Sequence, residues 1–590
     1  MIRIDNLSFG FPQKDLFHGI SFSLESGQHA ALIGASGTGK STLAELIMDV
    51  DRYTYEGLIE MDQPTRISYI PQFSQSEQPT KMTVFEYIGE QFFGMRKDMD
   101  ALCDLMGTVS ESEMEEVLER YQQMLDGYQA LDGDNVETQM LKQLNLADLS
   151  GKGELLISQL SGGEFKLVQV IKAMLNHPEL LIMDEPDVFL DFDNLNALVQ
   201  LINGHQGTLL VMTHNRLLLN HCFNKIIHLE DRSIQEFDGT YIDYNLTLLL
   251  AKIDLQEQAF KHSEAVSKNE ALIEQLRLIA TYNTDASRGK ALKARVRHHE
   301  RLEAQAIKAP FVEIQEPPIK FHTSEPLSEN DELPYAIRLS EYRLAFDQIL
   351  LEDVSLEIGP RDKVALIGPN GSGKTSLLRE IASGTHPEIH LHKDAKLGYL
   401  SQIQGECLDG DQTLIDALYD AGMNSTRRII SHLGYFGFSD EMAHQKIAKL
   451  SGGEKNLLQL AMLSVKDVNL LLLDEPTSHL DTYSQRALEQ AISSYEGAVF
   501  MVSHDFYTIA NCMDYVLMIE GRTIKKMNLK KFKRMVFAKH FDKDYLAFDA
   551  KRKLLELEVS EALSHFDFVK AKSIATRLEA HLNGDKSDPV

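Results

Sequence analysis

Residues 34–42 read GASGTGKST, and residues 368–376 read GPNGSGKTS. Each follows a short apolar run, AALIG or VALIG, and each leads into a helical pattern. Strand, glycine-rich turn and helix in that order form a phosphate loop. Glycines let backbone N–H groups converge on phosphate oxygens at the positive end of a helix. The first loop offers Gly34, Ser36, Gly37, Gly39, Lys40, Ser41 and Thr42. The second offers Gly368, Asn370, Gly371, Gly373, Lys374, Thr375 and Ser376. Lys40 and Lys374 are placed to reach the β- and γ-phosphates of ATP, and Ser41 and Thr375 to ligate Mg²⁺.

Three further pairs repeat in the same order. QLSGGE at 159–164 is matched by KLSGGE at 449–454, LLIMDEP at 180–186 by LLLLDEP at 470–476, and VMTHN at 211–215 by MVSHD at 501–505. Four ordered motifs mean two copies of one domain, over about 1–244 and 335–530. An apolar strand ending in Asp-Glu supplies the second half of each site. Asp184 and Asp474 are candidates to hold Mg²⁺ through water, and Glu185 and Glu475 to polarise the attacking water. His214 and His504 follow apolar strands and are candidates to contact the γ-phosphate. A lone histidine is more often a core residue, but duplication at matching places favours function.

The totals bound the rest. A chain of 590 residues exceeds what one core serves, so two large domains plus extras are expected. Apolar content of 43% and charged content of 25% are ordinary for a globular protein. The chain has no apolar run of the ~18–20 residues that a membrane helix needs. The start, MIRIDNLSFGF, lacks a basic segment followed by an apolar block, so no secretory signal is expected. The four cysteines, Cys103, Cys222, Cys407 and Cys512, form no CxxC pair and read as reduced cytoplasmic thiols. A net charge of −29 argues against nonspecific nucleic-acid binding, except where basic residues cluster.

The LSGGE segments resemble the signature of ATP-binding cassette proteins. That resemblance implies two cassettes sandwiching two ATP molecules head to tail within one monomer. Ser161, Gly162 and Gly163 would then complete the site of Lys374, called site two below. Ser451, Gly452 and Gly453 would complete the site of Lys40, called site one. Gln72 and Gln402 match the family's Q-loop, which senses Mg²⁺ and the attacking water. Phe11 and Phe346 are the candidate adenine-stacking rings, with Phe9 and Tyr342 as competitors. Both sites keep Lys, Glu and His, so both are expected to hydrolyse ATP. ATP then acts as removable glue between the halves.

The segment 245–334 narrows the class. A first helix from about Asn245 to Ala280 would span roughly 54 Å at ~1.5 Å per residue. TYNTDASRG at 281–289 has turn composition. A second helix begins near Lys290, with Leu292, Val296, His299, Leu302 and Ala306 on one face. Pro310, Pro317, Pro318, Pro326 and Pro334 then mark an extended return strap. A long helical hairpin between two cassettes resembles the ABC-F family. So does DEPTSHLD at 474–481, one residue from that family's DEPTNHLD; DEPDVFLD at 184–191 departs further. The expected fold is therefore α/β: two P-loop cassettes in tandem, a long α-helical hairpin linker and a short helical C-terminal tail over 531–590.

ABC-F proteins bind the ribosome at the tRNA exit site in the ATP-closed state, with the hairpin directed toward the peptidyl-transferase centre. Some tune translation and others protect against ribosome-targeting antibiotics. The resemblance thus implies rRNA and tRNA as partners, ATP and Mg²⁺ as cofactors, and no membrane. Arg288, Lys290, Lys293, Arg295, Arg297 and Arg301 crowd one segment against a single acid, Glu300. They form a basic prong suited to backbone phosphate, or else the solvated face of a spacer. The basic stretch Arg522 to Lys543 reads equally as a second RNA contact or as a final cassette helix. The first cassette carries an insert near 93–135, an acidic helix that is either a solvated face or a contact with ribosomal protein. The alternative function is the ATP-hydrolysing subunit of a transporter with a separate membrane chain; a DNA-associated ATPase is a weaker third.

In the family, the residues after the catalytic glutamate form a D-loop that crosses the interface. Thr477-Ser478-His479 is expected to face site one, and Asp187-Val188-Phe189 site two. Replacing two hydroxyls and an imidazole by a carboxylate and two apolar groups predicts unequal sites.

Overall fold

The apolar runs that precede the motifs are the central strands of two matching sheets. The computed structural model describes residues 2–12, 14–35, 37–62, 66–72, 81–188, 190–282, 317–327, 334–346, 348–402, 408–538 and 545–584. In the first copy the strand order is Ile67–Ile70, Leu180–Asp184, Thr208–Met212, His29–Ile33, Lys225–Glu230, Ser233–Asp238. The first five run parallel, and the last pairs antiparallel at the edge. In the second copy Leu397–Leu400, Leu470–Asp474, Ala498–Val502, Lys363–Ile367, Tyr515–Glu520 and Thr523–Asn528 repeat that order and those directions.

LLIMD, TLLVM, LLLLD and AVFMV are buried at every residue. Such runs suit parallel strands covered on both faces. A second layer in each copy is an antiparallel sheet of three strands, built around Ile2–Phe11 in the first and Ile337–Ala345 in the second. Its inward residues, such as Ile4 and Leu7, or Leu339 and Leu344, join those of the large sheet in one core. The fold class expected from the motifs is the one observed, with α/β cassettes in tandem.

The insert of the first copy forms a helical pair, Glu90–Met106 and Glu111–Ala130. Phe92 and Tyr128 meet edge to face with ring centroids 6.4 Å apart, and Arg96 Nε donates to the Tyr128 hydroxyl at 2.6 Å. Glu115, Glu116 and Glu119 point outward.

Contacts divide the chain into two units. One holds Met1–Thr240 with Glu316–His540, and the other Tyr241–Gln315 with Phe541–Val590. The division departs from the sequence boundaries for a physical reason. Residues 317–327, expected with the linker, bury Ile319, Phe321 and Leu327. Their backbone joins the second cassette: Val468 N donates to His322 O at 3.0 Å, and Ser324 N to Asp467 at 2.7 Å.

In the other unit, one helix runs from Tyr241 to Tyr282, starting four residues before the expected Asn245. The tail forms helices Tyr545–Ser564 and Phe568–Gly584. Leu555, Val559, Leu563, Ile574 and Leu578 of the tail pack with Ile253 and the neighbouring Leu246, Leu249 and Leu250. Lys572 bridges Asp254 at 2.8 Å and Glu257 at 2.7 Å. The tail is thus the partner that covers the apolar stripe at the start of the long helix. A charge at the centre of this packing lacks both water and a counter-ion. Val559→Asp is therefore expected to lower the thermal midpoint of the helical unit, with a cost above about 3 kcal/mol. Circular dichroism melting checks this, and an unchanged helical transition would contradict the packing role.

Candidate active sites at the cassette interface

Three neighbouring strands of each sheet end at one edge and carry the motifs there. In the first cassette these are His29–Ile33, which enters the phosphate loop, Leu180–Asp184 and Thr208–Met212. The carboxyl edge of a parallel sheet is where such folds bind ligands. Gly37 and Gly39 have φ of 76° and 101°, and Gly371 and Gly373 have 76° and 93°. A Cβ on Gly34 would fall 2.0 Å from Leu229 O, and one on Gly373 would fall 2.7 Å from Leu344. The loops need glycine for both conformation and space. Lys40 Nζ donates to Gly34 O and Ala35 O, both at 2.9 Å, and Lys374 Nζ to Gly368 O and Pro369 O at 2.8 and 2.9 Å. These bonds draw each loop around its own lysine. Burial pulls both lysines below the ordinary range, opposed for Lys40 by Glu185 and Asp481, and for Lys374 by Glu475 and Asp191.

Lys40–Thr42 and Lys374–Ser376 open the helices behind the loops. Ser41 is hydrogen-bonded to Asp184, and Thr375 Oγ1 lies 3.2 Å from Asp474 Oδ1. A hydroxyl beside a carboxylate offers hard oxygen ligands of the kind Mg²⁺ takes. Glu185 and Glu475 sit one residue beyond their strands at φ of 44° and 47°. A left-handed non-glycine residue costs about 1–3 kcal/mol and occurs here twice at the same place. Their amides are held by Met212 O and Val502 O, each at 2.9 Å.

The two glutamates differ in surroundings. Gln72 Nε2 donates to Glu185 Oε2, and His479 Nδ1 lies 3.2 Å from the same oxygen. Burial raises Glu185, but the His479 hydrogen bond and the charges of His214, His479 and Lys40 outweigh it and hold it low. Burial pushes Glu475 up, and the charge of Asp474 adds to that. Its Oε1 lies 3.6 Å from His504 Nε2. Burial lowers His214 and takes His504 to about 3.

The signature segments are capping boxes. Ser161 N donates to Glu164 Oε2 at 2.8 Å while Glu164 N donates to Ser161 Oγ at 3.3 Å. Ser451 and Glu454 do the same at 2.8 and 3.4 Å. Gly162, Gly163, Gly452 and Gly453 form the first turns of the helices they start, with Gly163 and Gly453 buried. One cavity of about 480 Å³ gathers Asn370, Gly371, Lys374, Thr375, Gln402, Glu475 and His504 with Gly162 and Gly163 of the other cassette. Site two is therefore lined from both copies. Asn370 N donates to Asp191 Oδ2 at 3.3 Å, linking the second phosphate loop to the end of the first DEP-x-x-x-LD frame. Asp191 also caps its own helix through Asn194 N at 3.0 Å. His479, in the second frame, reaches site one.

The family model described as ABC transporter matches residues 17–188 and 351–478. The chain is 27% identical to the uncharacterized ABC transporter ATP-binding protein YfmM of Bacillus subtilis, over 86% of this chain and 96% of that one. It is 28% identical to ABC transporter F family member 2 of Arabidopsis thaliana, over 88% and 76%. The chain belongs to the ATP-binding cassette family, in its ABC-F branch. Its cassettes bind ATP and make it an ATPase. The fold is also that of an archaeal ribosome recycling factor solved with a ribosomal stalk protein, at TM-score 0.54 and 17% identity, covering 90% and 92% of the chains. Among the described residues no helix is long and apolar enough to cross a membrane.

Several sequence candidates are sorted by this ABC-F geometry. Phe9 and Tyr342 are 8% and 0% exposed, whereas Phe11 and Phe346 are 44% and 66% exposed. Of these four, Phe11 and Phe346 present exposed rings. Phe532, in the basic stretch, is wholly buried against Phe506 and Phe192, while Lys530, Lys531 and Arg534 of the same helix face outward. Within that stretch Leu529–Ala538 is a helix packed onto the cassettes. Ser36, Phe189 and the prong residues Arg288, Lys290, Lys293, Arg295, Arg297 and Arg301 lie outside the described residues.

Sequence reasoning missed Arg216. It extends from the first cassette to Asp505 at 2.9 Å and to Glu489 of the second, and its guanidinium lies 5.0 Å from the Tyr507 ring centre. All three charged side chains are at most 16% exposed. The matching position in the second cassette is Phe506, so the motif repeat gave no signal for it. Arg216→Ala would leave two carboxylates buried without their cation. We expect a loss of about 3–5 kcal/mol, seen as a lower melting midpoint for the paired cassettes. A midpoint equal to that of the unaltered protein would show that the triad does not hold the interface.

Proposed function

We propose that this ABC-F ATPase binds the ribosome when ATP closes its cassettes, near the tRNA exit site, and there modulates translation or protects against ribosome-targeting antibiotics. The observation that carries the reading is the 42-residue helix Tyr241–Tyr282 set between two cassettes whose site two is lined from both copies. A composite site ties nucleotide state to cassette pairing, and the long helix comes between the two cassettes in the chain. The fold relative named as a ribosome recycling factor supports the same partner. The basic prong near 288–301 would meet rRNA or tRNA phosphate in the cytoplasm.

In each site the phosphate loop and its lysine would cradle the β- and γ-phosphates. Ser41 with Asp184, and Thr375 with Asp474, would hold Mg²⁺ together with Gln72 and Gln402. That ion neutralises charge developing on the phosphate oxygens. Glu185 and Glu475 would orient and polarise water, His214 and His504 would contact the γ-phosphate, and Phe11 and Phe346 would stack on adenine. Ser161 and Ser451 would donate across the interface. Replacing both glutamates by glutamine should trap the closed state. With ATP, the Glu185→Gln, Glu475→Gln protein is expected to co-sediment with 70S ribosomes, and without ATP to stay in solution. Failure to pellet with ribosomes in either state would overturn the reading and return the transporter-subunit alternative.

A further inference from the structure

The two D-loops are built differently, beyond their change of sequence. In the second, Asn456 Nδ2 donates to Pro476 O at 3.1 Å and to Ser478 O at 2.9 Å. This buried amide pins the loop from beneath and sets His479 at φ 61°, a left-handed turn that a non-glycine residue seldom adopts. The imidazole then enters the facing cassette, 3.2 Å from Glu185 Oε2 and 3.2 Å from Gln72 Nε2. In the first cassette the position matching Asn456 is Lys166. Its Nζ donates instead to Pro71 O at 2.8 Å and Gln72 O at 3.3 Å. Asp187 takes a hydrogen bond from Thr213 of its own cassette at 2.6 Å. The residue matching His479 is Phe189, whose side chain has no hydrogen-bonding atom wherever it lies.

We infer that His479 is a positioning residue acting in trans, which orients the Glu185 carboxylate for water attack and makes site one the faster hydrolytic site. The inference rests on the reading of Glu185 as the base of that site. Hydrolysis there joins a water oxygen to the γ-phosphorus and breaks the bond from that phosphorus to the bridging oxygen of ADP. The water proton passes by way of the Glu185 carboxylate to the released phosphate. A carboxylate fixed by two side chains meets the water in one orientation, whereas a carboxylate without the imidazole must find it. Because the imidazole comes from the opposite cassette, the site is complete only when the cassettes pair. Site two lacks this reach by sequence, so it holds ATP for longer and keeps the pair together while site one turns over.

Single-turnover hydrolysis with one site blocked tests this. In the Glu475→Gln protein, where only site one is intact, His479→Phe should lower kcat by about tenfold or more with KM within about twofold. His479→Gln keeps a donor and should recover at least about threefold of that loss. In the Glu185→Gln protein, replacing Asp187, Val188 and Phe189 by Thr, Ser and His should raise the site-two rate by about threefold or more. An unchanged kcat in His479→Phe would overturn the inference, as would an equal loss in His479→Phe and His479→Gln. If the doubly blocked Glu185→Gln, Glu475→Gln protein hydrolyses ATP at the full rate, the base reading itself falls instead.

Discussion

One constraint governs this molecule: a phosphate loop can hold the near side of ATP, but the far side must come from another surface. The repeat supplies that surface by facing one copy against the other. The DEP-x-x-x-LD frame shows how compactly this is done. Its first acid closes a buried strand beside the phosphate loop. Its last acid, Asp191 or Asp481, caps the next helix. Asp191 also accepts a hydrogen bond from the opposite phosphate loop. The frame therefore spans from one site to the other in eight residues, and both copies keep it although the three residues between differ.

The interface around these frames is not symmetric. A buried arginine of the first cassette holds two carboxylates of the second, and nearby Phe192 packs on Phe532, which stacks on Phe506. A buried ion triad is sensitive to geometry, because loss of alignment leaves charge without solvent. An aromatic cluster tolerates sliding, because its attraction is spread over area. The same asymmetry appears at the glutamates, one held by a facing imidazole and the other by the histidine of its own cassette.

Much of this was legible in the sequence, for a physical reason. Phosphate loops, Asp-Glu strand ends and buried apolar runs are local devices, each written in a few adjacent residues. Their repetition in order led to two sheets of one topology. The α/β class followed, as did the edge on which the motifs gather. What escaped was non-local. Arg216 looks like any surface cation until the second cassette places Glu489 and Asp505 around it. The tail helices show an apolar stripe, but its partner, Leu246 to Ile253, lies some three hundred residues earlier. Glu164 and Glu454 were readable as capping-box acids from the S-x-x-E spacing, and were overshadowed by the signature that contains them. The linker began early, at Tyr241, because two buried tyrosines, Tyr241 and Tyr244, stack one turn apart and extend the helix toward its root.

The central claim is that each ATP is hydrolysed by residues of both cassettes. Single-turnover hydrolysis in the Glu475→Gln protein reads site one alone and tests this most directly. Ser451→Arg, placed in the cassette opposite Lys40, is predicted to abolish that hydrolysis, while Ser161→Arg, in the same cassette as Lys40, leaves most of it. Loss with Ser161→Arg and survival with Ser451→Arg would mean that each cassette completes its own site, and would contradict the account.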